Sequence, residues 1–141
     1  MNKMECPFCN LDMEKTRILD ETQKTRTIIS NPALVKLPLL VIPKKHVEKP
    51  SELDKQEREE IFNQIIKFQE LLLKKFSGCD IKQHFKPFLK QDDYKINHLH
   101  FHIIPREFED EIYKKCQINE KQVFKFLNQE ELEEIKNKLL S

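Results

Sequence analysis

The stretch Asn97-His98-Leu99-His100-Phe101-His102-Ile103-Ile104-Pro105-Arg106 constrains this chain more than any other. Three of the five histidines fall here at every second position, with Leu99, Phe101 and Ile103 between them. A period of two is that of a β-strand, whose side chains point to opposite faces in turn. His98, His100 and His102 therefore share one face, and the apolar residues share the other. A helix cannot do this, because positions two apart on it face different ways. The apolar face must lie on a core, so the imidazoles form a rigidly held row, spaced roughly 6–7 Å apart. Such a row can span a small polar substrate. A lone strand histidine is ordinarily structural or exposed, but burying three without partners would cost several kcal/mol. A purification tag would be contiguous and terminal. The rival that this pattern leaves open is a three-histidine metal site.

The chain has 141 residues, the size of one domain, 1–141, with a single core. Its formal net charge is +1 with both signs mixed throughout, so the basic footprint of a nucleic-acid binder is absent. No apolar run is long enough to span a bilayer, and the polar, cysteine-bearing start MNKMECPFCN does not read as a signal peptide. A cytoplasmic protein with no membrane partner is the expectation. The only glycine is Gly78, which excludes both GxGxxG and the Walker loop. Any phosphate must be gripped by side chains or ordinary backbone amides. Of the four cysteines, Cys79 and Cys116 lie in no motif, and a disulfide framework is not expected in such a protein.

The other two form Cys6-Pro7-Phe8-Cys9, a C-x-x-C knuckle over residues 1–12 that lets two thiolates reach one tetrahedral metal, usually zinc. A redox pair would normally follow a strand in a βαβ unit, and none precedes it. Residues 15–21 and 24–30 read as strands joined by a turn, the second ended by Asn31-Pro32. Leu37 to Ile42 reads as a buried strand stopped by Pro43, and Lys44-Lys45-His46-Val47 as a loop free to offer ligands. Asp54 to Phe76 is the clearest helix. Ser51 and Asp54 are both good N-caps, Asp54 with Glu57 makes a capping-box-like start, and Ile61, Phe62, Ile65, Ile66, Leu72, Leu73 and Phe76 form a core-facing stripe. Gly78 suits its C′ position. Asp80 to Phe88 reads as a strand, paired as a hairpin with the histidine strand at 95–104, which Pro105 ends. The tail from Phe108 to Ser141 reads as helical in two pieces, the last capped by Asn128. The fold class is thus α+β: an antiparallel sheet of about five strands covered by one long helix, plus C-terminal helices.

With these pieces placed, the chain resembles the histidine triad (HIT) superfamily of nucleotide hydrolases and transferases. The family pattern His-φ-His-φ-His-φ-φ, with φ apolar, reads His98-Leu99-His100-Phe101-His102-Ile103-Ile104, followed by Pro105-Arg106. Upstream, Asn31-Pro32 and Leu40-Val41-Ile42-Pro43-Lys44-Lys45-His46 are similar to the family's Asn-Pro strand end and Leu-Val-Ile-Pro-Lys-x-His segment. The likeness covers roughly residues 5–107. It implies the HIT-like fold and a homodimer. Members with an N-terminal C-x-x-C hold a structural zinc, and residue by residue this implies the ligands Cys6, Cys9, His46 and His98.

The resemblance further implies that His100 is the nucleophile, attacking the α-phosphorus of a purine nucleoside phosphate derivative to form a nucleotidyl-histidine intermediate. His102 would hydrogen-bond a non-bridging phosphate oxygen. Asn31 would lie near the ribose, and Arg106 is a candidate phosphate contact, with a surface arginine capping a strand end as its alternative. Where the family has Gly-Gln before the triad, this chain has Asp93 and Tyr94. The phosphate-side loop carries Gln83-His84-Phe85-Lys86-Pro87, so Gln83 or His84 would supply the missing phosphate or sugar contacts. Two other readings stay open: a metalloenzyme using all three triad histidines as ligands, and a non-catalytic, zinc-stabilised nucleotide-binding module.

Overall fold

The computed structural model describes residues 5–141; the first four residues of the knuckle stretch 1–12 lie outside the described residues. The chain divides into two compact units, Met1–Phe108 and Glu109–Ser141. The first is an α+β unit built on a five-stranded antiparallel sheet. Its strands are β1 (Ile18–Glu21), β2 (Thr25–Ile29), β3 (Leu39–Pro43), β4 (Gly78–Lys82) and β5 (Phe101–Arg106), in the order β1-β2-β3-β5-β4. One long helix, α1 (Lys55–Leu73), lies between β3 and β4 in sequence.

The β1–β2 hairpin forms where β-branched residues flank a polar turn, closed by Thr22 N–H donating to the Thr25 carbonyl at 3.0 Å. β3 is buried at every position because it is central and covered on both faces. On one face, Leu39, Val41, Leu99 and Ile103 join Ile61, Ile65, Phe68 and Leu72 of α1 in the main core. On the other, Ile28, Leu40 and Ile42 form a smaller cluster with Phe8, Leu11 and Ile18. The N-terminus of α1 is fixed by a complete capping box: Glu57 N–H donates to Asp54 Oδ1 and Asp54 N–H to Glu57 Oε1, both at 2.8 Å.

Several boundaries differ from the sequence reading. The core stripe of α1 is Ile61, Ile65, Phe68 and Leu72; Phe62, Ile66 and Leu73 are rotated off it and exposed. They stand one position past buried residues, about 100° around the helix. The C-cap of α1 is Lys74 in the ordinary helical conformation, so Gly78 is not a C′ residue but opens β4. β4 stops at Lys82 rather than Phe88, because its pairing with β5 ends at His102. β5 starts at Phe101, not residue 95, and runs through Pro105 to Arg106. The proline is tolerated because pairing with β3 ends at Ile103; past that point β5 has only β4 beside it, and one side of Pro105 needs no donor. Pro43 likewise ends β3 from within, paired with Thr25.

The second unit contains a π-helical turn (Tyr113–Gln117), a 3-10 turn (Glu120–Gln122) and α2 (Gln129–Leu140). As expected, Asn128 caps α2, with Glu131 completing the box. Among the described residues no helix is long and apolar enough to cross a membrane.

Candidate functional site

β5 carries the site on the sheet face turned away from α1. His102 pairs with Leu40, of the smaller cluster, while its neighbours Phe101 and Ile103 pack into the helix-side core. His98 and His100 precede the strand, yet the alternation persists through them. Leu99 between them is buried in the main core, and its N–H donates to the Val47 carbonyl at 2.6 Å. That bond ties the histidine segment to the loop after β3, which carries His46.

The side chains of Cys6, Cys9, His46 and His98 converge, with their ligand atoms all within 4.8 Å of one another. His98 Nδ1 lies 3.3 Å from Cys6 Sγ, 3.5 Å from Cys9 Sγ and 3.2 Å from His46 Nδ1; Cys9 Sγ lies 3.3 Å from His46 Nδ1. Tetrahedral zinc with ordinary Zn–S and Zn–N bonds would set S···N edges near roughly 3.6 Å and N···N edges near roughly 3.3 Å. The four donors therefore already stand at the spacing of such a set. The tautomer agrees: His98 Nε2–H donates to the Pro43 carbonyl at 2.8 Å, which leaves the Nδ1 lone pair facing the thiols. Burial pushes the His98 pKa down to about 4, keeping the ring neutral as a ligand must be. Among the described residues, no other group of cysteine, histidine and carboxylate side chains converges in this way, and neither His100 nor His102 belongs to it.

His100 is oriented differently. Its Nδ1–H donates to the carbonyl of His98 at 2.6 Å, so the lone pair sits on Nε2. Burial holds its pKa below the usual imidazole value, opposed by that backbone bond and helped by His84. The His102 ring is 5.0 Å away at 74°, and burial with the fields of His100, His84 and Lys82 pushes its pKa down to about 4. Both rings are thus neutral at pH 7, His100 with a free lone pair on Nε2 and His102 as a neutral hydrogen-bonding group.

Two cavities meet at these rings. A mostly apolar one of about 300 Å³ is lined by Phe8, Pro32, Leu34, Val35, Leu40 and Ile96. A second, of about 220 Å³, is lined by His84, Phe85, Lys86, Lys95 and Asn97. Tyr94, Ile96, His100 and His102 line both. The other candidate residues are distributed unevenly. His84 reaches the second cavity, its ring 6.3 Å from that of His102. Gln83 instead turns its amide to the His84 carbonyl. Asn31 lines neither cavity; its side-chain amide donates to the Lys15 carbonyl at 2.9 Å. Arg106 is paired with Asp80 at 2.5 Å, near the far end of β5 from the imidazoles. Phe8 was missed by the sequence reading, although its place between the two knuckle cysteines is a signal. Its ring stands edge-on to both His98 and His100. Tyr94, met there only as a departure from a pattern, lies where the two cavities join.

The HIT domain family profile matches residues 13–109, more than half of the sequence, and the chain belongs to that family. Solved structures agree on the fold. A member of the HIT family from Bacillus subtilis superposes with a TM-score of 0.71 at 21% identity, covering 96% of this chain and 94% of that one. A zinc-bound histidine triad family protein from Mycobacterium smegmatis gives 0.63 at 17% identity, covering 78% and 81%. A histidine triad nucleotide-binding protein from Candida albicans gives 0.62 at 22% identity, covering 93% and 99%. A comparison with curated protein sequences finds no match.

Proposed function

We propose that the protein is a nucleotide hydrolase or nucleotidyltransferase that cleaves a purine nucleoside 5′-phosphate derivative at its α-phosphorus through His100. One observation carries this reading: the Nδ1–H of His100 is bound to the His98 carbonyl, which leaves Nε2 as a neutral nucleophile where two cavities meet. The apolar cavity suits a nucleoside and the other a leaving group. Nε2 attacks phosphorus, an N–P bond forms, and the bond to the leaving group breaks with its electron pair going to that group. Water or another acceptor then attacks the phosphorus; the N–P pair returns to Nε2 and the acceptor's proton is released. His102, 5.0 Å from His100, donates to a non-bridging oxygen as charge builds there. His84 contacts the phosphate side.

Cys6, Cys9, His46 and His98 would hold a zinc ion whose role is structural, since a Cys₂His₂ set leaves no open position. That assignment places the chain among HIT proteins with an N-terminal C-x-x-C. It also opposes a metal shared by the three triad histidines, because His98 and His100 turn their Nδ1 atoms to different partners. Residues 108–141 are read as a helical extension of the one domain, and Phe62, Ile66 and Leu73 as apolar surface that a second copy covers in a homodimer. Sedimentation tests the dimer.

Incubation with adenosine phosphoramidate, diadenosine polyphosphates and nucleotide-sugars, followed by acid-free trapping of labelled protein, tests the chemistry. The label is expected on His100 and is absent from His100→Gln. Binding of nucleotide without turnover or label would favour a non-catalytic module.

A further inference from the structure

Resting on the reading of His100 as nucleophile, we propose that Lys82, His84 and Lys86 cradle a phosphate carried by the leaving group. The site then selects nucleotides whose leaving group is itself an anionic phosphate chain over those whose leaving group is uncharged. Imidazole rings lead outward from the nucleophile in steps, His100 to His102 at 5.0 Å and His102 to His84 at 6.3 Å. His84 is exposed and His100 half-buried, and both line the same cavity. Lys82 pairs directly opposite His102 in the β4–β5 ladder, so its side chain rises from the same face of the sheet. Lys86 lines the cavity itself.

Neither lysine forms an ion pair with a carboxylate among the described residues. Their fields nevertheless reach the imidazoles: both lysines disfavour a proton on His84, and Lys82 does so on His102. Like charges gathered without counter-charges are a standing attraction for an anion. Glu48 is the one carboxylate lining this cavity, against the cations of Lys86 and Lys95. Lys95 is occupied, donating to the Leu89 carbonyl and Asn97 Oδ1. Lys86 lines the cavity, and Lys82 stands across the ladder from His102, which also lines it, so these are the two ammonium groups that meet the ligand. A phosphate accepts from an imidazole N–H and two ammonium groups at once, and charge-assisted bonds of this kind are stronger than neutral ones. An uncharged leaving group gains nothing from them.

The test compares kcat/KM for a nucleoside 5′-tetraphosphate, which releases triphosphate, with that for a nucleoside 5′-phosphoramidate, which releases ammonia. The Lys82→Met/Lys86→Met double variant is expected to lower the first at least tenfold more than the second, and His84→Asn to shift the ratio the same way. Lys86→Arg retains most of the wild-type preference. With wild-type protein, added salt should weaken turnover of the tetraphosphate more steeply than that of the amidate. This measurement stands even if a variant fails to fold. Equal losses on the two substrates, together with equal salt dependence, would overturn the cradle while leaving the nucleophile intact. No turnover of either substrate and no label on His100 would overturn the underlying reading, and the cradle with it.

Discussion

The ring of Phe8 stands edge-on to the ring of His100, centroids 5.2 Å apart and planes at 75°, so a residue of the cysteine knuckle touches the proposed nucleophile directly. The same ring meets His98 at 5.8 Å and lines the apolar cavity. Phe8→Ala should therefore weaken two things at once. It removes an aromatic pair worth about 0.5–1.5 kcal/mol beyond its buried area, and it opens the cavity wall beside His100. We expect kcat/KM to fall about tenfold, the equivalent of ~1.4 kcal/mol, with metal content unchanged. A variant with wild-type kinetics would show that the contact is incidental.

Removing a thiol should remove the metal. Cys6→Ser and Cys9→Ser are each expected to abolish binding of the proposed single zinc, measured by elemental analysis of the purified protein. Cys6 is 1% exposed, so its loss also disturbs packing. Thermal unfolding should shift downward by several degrees, and chelator treatment of wild-type protein should reproduce the shift, because a ligand that binds only the folded state stabilises it.

The two histidines left to chemistry should separate by rate. His100→Gln is expected to reduce turnover by ~10³ or more, since it removes the proposed nucleophile. His102→Asn should cost about 10²–10³, the range for a lost donor to a developing oxyanion. Both should keep their zinc, because neither residue belongs to the Cys/His cluster. Zinc loss on either change would revive the three-histidine metal site.

Acid should act later than imidazole normally allows. His100, whose free lone pair the proposed chemistry needs, is held below the usual imidazole value mainly by burial, so the acid limb of kcat/KM should lie below pH 6.5, while the neighbouring His102 is pushed down to about 4. The consequence for stability has a definite sign. Between pH 6.5 and about 4 the unfolded chain protonates His102 and the folded chain does not. Stability therefore falls as pH drops through that window, and above it this residue adds no pH dependence. Replacing His102 with glutamine should make the acid slope of denaturant midpoints shallower; an unchanged slope would contradict the assignment.

At the start of α1, Glu57 is 1% exposed, held by the capping box and by Lys45 at 3.9 Å. Asp54→Ala should cost about 0.5–2 kcal/mol in urea or thermal unfolding. Glu57→Ala should cost at least as much, since it also strips Lys45 of its partner beside His46.

Much of this was legible in the residues. The alternation from His98 to Ile103 predicted two faces, and Leu99, Phe101 and Ile103 do share one core. Asp54 with Glu57 and Asn128 with Glu131 set both helix starts, because capping is written in local sequence. What was not legible depends on partners far along the chain. Pro105 reads as a strand end, and only the early finish of β3 lets it stay inside β5. Phe62 and Ile66 fit an apolar stripe by spacing, but the direction in which α1 faces the sheet excludes them. Asn31 and Arg106 could be placed near the histidines by order, yet Lys15 and Asp80 engage them elsewhere. His84 could be flagged only because the family's Gly-Gln pair and its phosphate-side loop residues are replaced in this chain; its nearness to His102 follows from where β4 lets go.

His98 contributes its ring to one cluster and its main-chain oxygen to the next. Side chains can be exchanged by a single codon, but a peptide carbonyl cannot. The proton on the His100 ring is thus fixed by a group that no point mutation deletes, and only displacement of the backbone can release it. Preserving the tautomer of His100 and preserving the path of the chain through residues 98–100 are, for this protein, one and the same requirement.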